Sequence, residues 1–88
     1  MFPKQKPFTP QELAKRDSMF TEDSSVAFLE WAEIAMAVEE NDRKAAGKKP
    51  MTSKQQDAFI LNAMRYGVRG VMSGSLVWQG KCLVPNFN

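Results

Sequence analysis

Eighty-eight residues with 43% apolar side chains and nine aromatics describe one small folded domain, residues 1–88, and exclude a disordered chain. The absence of histidine removes the commonest general base and metal ligand, and a single cysteine, Cys82, excludes an internal disulfide. The net charge of +2 hides an uneven layout: residues 21–42 carry seven acids and no base, whereas residues 43–88 carry eight bases against Asp57 alone.

Residues 1–8, MFPKQKPF, contain two prolines and two lysines, which predicts an extended arm with Phe2 and Phe8 as apolar anchors. Such an arm stays disordered unless its own domain or a neighbouring chain holds it. Its first residues lack the apolar centre of a signal peptide. Thr9-Pro10-Gln11-Glu12 starts a helix: Thr9 caps, Pro10 suits the first position and Glu12 closes a capping box. That helix is expected to run to about Phe20, with Leu13 and Phe20 facing the core.

Residues 24–46 organise the chain. The segment carries Val26, Phe28, Leu29, Trp31, Ile34, Met36 and Val38 interleaved with Ala27, Ala32, Ala35 and Ala37, and Glu30, Glu33 and Glu40 form one narrow polar stripe. A helix apolar over most of its surface has to be covered on more than one side, by the rest of the chain or by a second copy. Glu22 and Asp23 suit its positive end, Arg43 and Lys44 its negative end, and Glu39–Arg43 and Glu40–Lys44 are spaced as ion pairs. Gly47 and Pro50 end it. At about 1.5 Å per residue it spans roughly 35 Å, so its C-terminal end overhangs a domain this small.

Thr52 or Ser53 caps a third helix, with Gln55 or Gln56 closing the box. Phe59, Ile60, Ala63, Met64, Tyr66, Val68 and Val71 give it an apolar side, and Asn62, Arg65, Arg69 and Ser73 a polar stripe. A second stripe of small residues, Ala63, Gly67, Gly70 and Gly74, admits a close neighbour if the helix continues through its glycines; Ala32 and Ala35 are the expected partners. The alternative is that Gly67 ends the helix. From Ser75 the pattern changes to Leu76-Val77-Trp78, then Gln79-Gly80, then Lys81-Cys82-Leu83-Val84, a small hairpin or an extended apolar tail ending in Phe87. The fold class is therefore mainly α: three helices around the long central one, an arm at one end and a hairpin or tail at the other. The expected core is Phe28, Trp31, Ile34, Ala35, Val38, Phe59, Ile60 and Met64.

The chemistry points away from catalysis. One cysteine without histidine forms no nucleophilic pair. Glu30 and Glu33 read as a solvated face, and Gly47-Lys48-Lys49 lacks the rest of a phosphate-binding loop. The expectation is a non-enzyme with no cofactor and no metal. No apolar run approaches membrane-spanning length, so no membrane association is expected, and the setting is read as cytoplasmic.

Three function classes remain. The first is an inhibitor or assembly protein working through a protein partner or self-association, with Phe2, Phe8, Leu76, Trp78, Leu83 and Phe87 as contact residues. The second is a nucleic-acid or nucleotide binder that grips phosphate or an acidic partner through Lys48, Lys49, Lys54, Arg65 and Arg69, with Tyr66 or Trp78 for stacking. The acidic block and small net charge weigh against it. The third is a structural subunit whose arms lace neighbours together. In overall style the chain resembles the small proteins that bacteriophages encode: short, one cysteine or none, with apolar arms. That resemblance implies a virion component or an inhibitor of host defence or transcription, acting in the host cytoplasm. Pro50-x-x-Ser53-x-x-Gln56-x-x-x-Ile60 and the arginine after it, about fifteen residues, also resemble small phage helical-hairpin proteins that sequester cyclic nucleotides; no binding residues are carried over from them.

Overall fold

The computed structural model describes residues 2–87; Met1 and Asn88, the outer ends of the expected arm and tail, lie outside the described residues. In chain order it contains α1 (Pro10–Met19), α2 (Glu22–Ala45), α3 (Ser53–Ser73), β1 (Leu76–Gln79) and β2 (Cys82–Pro85). The chain is mainly helical, with one two-stranded antiparallel hairpin, as its pattern predicts.

Each helix starts on a threonine. Thr9, Thr21 and Thr52 each accept the N–H of the third helical residue, and the side chains of Glu12, Ser24 and Gln55 return to the cap N–H. This satisfies donors that a helix N-terminus otherwise leaves open. For α2 the cap is Thr21, so the helix begins two residues before the expected Ser24, which instead closes the box. At its other end, Arg43 and Glu40 do not form the expected helical ion pairs. Arg43 donates to the Lys49 carbonyl at 2.9 and 3.1 Å, and a Glu40 carboxylate oxygen accepts the Met51 N–H at 3.0 Å. Both side chains thereby fasten the α2–α3 connection, where Gly47 takes a left-handed conformation.

The third helix continues through Gly67 and Gly70 to Ser73 and ends on Gly74, at φ +81°. Two glycines of the small-residue stripe meet side chains other than the expected Ala32 and Ala35, while Ala63 and Ala32 are both fully buried in the core. A Cβ at Gly67 would stand 2.7 Å from Trp31 Cζ3 and 2.9 Å from Leu83 Cδ1, and one at Gly70 would collide with Leu76. The glycines are seats for a tryptophan ring and for two hairpin leucines.

The hairpin pairs Leu76 with Pro85, Val77 with Val84, Trp78 with Leu83 and Gln79 with Cys82. Its loop is Gly80-Lys81, one residue later than the expected Gln79-Gly80. Gly80 adopts φ +62°, and a glycine leading a two-residue loop suits the primed turns whose twist matches the strands. Leu76 and Leu83 point into the core and Val77 outward; an isolated hairpin this short is marginal, and α3 supplies its support.

The buried core is Phe28, Trp31, Ala32, Ala63, Val68, Leu76 and Leu83, with Phe59, Ile60 and Met64 partly buried around it. Three expected core residues are not in it: Ile34 is 44% exposed, Val38 is 54% exposed, and Ala35 is only partly buried. Leu13 is also largely exposed, whereas Phe20 packs edge-on against Phe28. The long helix is covered on one side only, by α3 and the hairpin, so its other apolar face stays open to solvent.

Candidate functional site

Arm residues 2–8 lie on their own chain, held at three points. Phe2 enters an aromatic nest, with ring centroids 4.9 Å from Tyr66, 5.3 Å from Trp31 and 6.0 Å from Phe59. Asn62 brackets the backbone: its Oδ1 accepts the Gln5 N–H at 2.6 Å, and its Nδ2 donates to the Pro3 carbonyl at 3.1 Å. Arg69 is the clasp. It donates to both Glu12 oxygens at 2.8 and 3.0 Å, to Gln5 Oε1 at 3.1 Å and to the Pro7 carbonyl at 3.2 Å. Its guanidinium also lies 4.7 Å over the Phe8 ring. The Arg69 hydrogen bonds, with the Thr9 N–H, hold the Glu12 carboxyl down at about 2, and Glu12 in turn raises the already high Arg69 pKa.

The contact residues read from the sequence therefore separate. Phe2, Phe8, Leu76 and Leu83 serve the molecule's own packing. Trp78 divides itself, one side 5.1 Å from Phe28 and the rest open, and Phe87 is 92% exposed. The expected phosphate or acidic-partner contacts separate too. Arg69 is occupied by the arm. Lys48, Lys49 and Lys54 are exposed around the α2–α3 connection and the start of α3. Arg65 lines a cleft between α1, α2 and α3 and makes no hydrogen bond or ion pair among the described residues.

The open face of α2 is the feature that single-residue reasoning missed. Two shallow grooves run along it beside the hairpin turn, and they share Glu30 and Lys81. Ala27 and Trp78 line one; Ile34, Ala37 and Glu33 line the other. Val26 and Val38 on α2 and Val77 on the hairpin are exposed as well. The signal was present in the excess apolar width of residues 24–46, but the sequence does not state which sector stays uncovered. Among the described residues no three His, Cys, Asp or Glu side chains gather as a metal would need, and no helix is long and apolar enough to cross a membrane.

No family model, curated protein or solved structure matches the chain.

Proposed function

We propose that this protein is a non-enzymatic binding protein that works through a protein–protein contact on the open face of α2 and the adjoining hairpin. The observation that carries the reading is the exposure of Ile34, Val38, Val77 and part of Trp78 on neighbouring elements of so small a chain. Large apolar surfaces rimmed by charge mark interaction sites, and aromatic residues are the usual energetic centres of interfaces. Glu30, Glu33 and Asp23 flank the apolar strip, with Lys81 the one base lining either groove. The complementary partner presents apolar side chains bordered by lysine or arginine. A second copy, whose residues 43–88 carry eight bases, is one source, and a foreign protein is the other. In a phage setting the same contact serves an inhibitor of a host complex or an assembly component of a particle, within the cytoplasm.

The nucleic-acid or nucleotide reading is weaker because its central residue, Arg69, already has its donors engaged by the arm. Co-purification from the producing cells distinguishes the two. Ile34→Asp with Val38→Asp is expected to abolish a stoichiometric protein partner or the homo-oligomer. Lys48→Ala, Lys49→Ala and Lys54→Ala together are expected to leave it intact. The reverse outcome, with nucleic acid recovered, supports the second reading.

A further inference from the structure

The cleft around Arg65 shares no lining residue with the α2–hairpin grooves. Its floor is apolar and partly aromatic, built from Phe20, Phe28, Met64 and Val68, with Leu61 at its edge. Its volume of about 280 Å³ falls just short of the usual range for ligand-binding pockets, which starts at roughly 300 Å³, and suits only a small ligand. Polar groups stand at the rim. Arg16 lies 5.6 Å over the Phe8 ring and pairs with Asp17 at 3.2 Å, so those two charges offset each other. Arg65 is half-buried and has no partner among the described residues. The lining thus carries one uncompensated positive charge, on a planar fork suited to a carboxylate, above an apolar floor.

We propose that this cleft binds a small organic monoanion with a flat apolar body, of the aryl carboxylate class. The carboxylate takes the Arg65 fork, and the ring lies against Phe20, Met64 and Leu61. Phosphomonoesters fit less well. Their second charge has no cation left to meet it, because Asp17 already holds Arg16. The site is independent of the α2–hairpin contact and stands or falls separately from it.

The test is calorimetric titration of the full chain at low salt with 2-naphthoate, with neutral 2-naphthylmethanol and with adenosine monophosphate. Saturable one-to-one binding of naphthoate is expected, at least about tenfold tighter than the alcohol or the nucleotide. Arg65→Gln should lose about the same factor with unchanged circular dichroism, since Arg65 makes no hydrogen bond or ion pair among the described residues, and Arg65→Lys should lose less. Amide shifts on binding should centre on Ser25, Leu61 and Arg65. The comparison of ligands on the native protein decides the matter even if a variant misfolds. Absence of saturation into the millimolar range overturns the proposal, as does equal binding of the alcohol or nucleotide, or full affinity in a folded Arg65→Gln protein.

Discussion

Arg69 and Glu12 stand 57 positions apart, and the bond between them ties the first turn of α1 to α3 beside the N-terminal arm. The Glu12 carboxyl titrates at about 2 in the folded chain against an ordinary value near 4.5. A depressed folded value means that the clasp contributes fully above the unfolded value and is lost as pH falls through the folded one. The Glu12–Arg69 clasp should therefore hold at neutral pH and be lost between about pH 4.5 and 2, which loosens the arm at one of its three holds. The Asn62 side-chain amide, which donates to the Pro3 carbonyl, reports this directly by NMR. Glu12→Gln should loosen the arm at neutral pH and abolish the acid transition. The Thr9–Glu12 capping box was legible in the sequence because it is local. The Arg69 clasp was not, because only the docking of α1 on α3 brings its partners together.

Gly67 makes a second point at the same scale. In a free helix Gly→Ala gains about 1 kcal/mol. Here the added methyl would meet the Trp31 ring at 2.7 Å and Leu83 at 2.9 Å. Overpacking of this kind costs roughly 1–3 kcal/mol, so Gly67→Ala should be destabilising on balance in urea unfolding. The regular spacing of small residues was visible beforehand; the ring and leucines that use it belong to other elements.

Among elements, α2 carries the contrast between its two faces. Phe28 and Trp31 are buried, and replacing either with alanine should cost about 3–5 kcal/mol, a large share of a total near 5–15 kcal/mol. Ile34→Ala and Val38→Ala should each change stability by only about 0.5 kcal/mol, since solvent already reaches both. Chemical denaturation of the four variants separates the faces. The periodicity established the helix and its breadth of apolar residues. It did not assign the faces, because the apolar sector is wider than α3 and the hairpin can cover. The hairpin shows the same limit. Its strands were readable, but the turn falls one residue later, where Gly80 can adopt a positive φ and both leucines reach the core.

At the scale of the whole molecule, an acidic stretch over residues 21–42 with an open apolar strip is followed in the chain by a basic C-terminal half. The molecule measures 42 × 28 × 22 Å, and the long axis leaves the C-terminal turns of α2 without buried residues. Packing inside the chain therefore does not account for Ile34 and Val38, and the contact proposed above is what would cover them. The most direct measurement places a photo-crosslinking amino acid at position 38 and, as a control, at position 54, in the cells that produce the protein. Position 38 should yield one defined protein adduct, either a second copy or a foreign chain, and position 54 none. Adducts only at position 54, adducts to nucleic acid, or no adduct at position 38 would contradict the account.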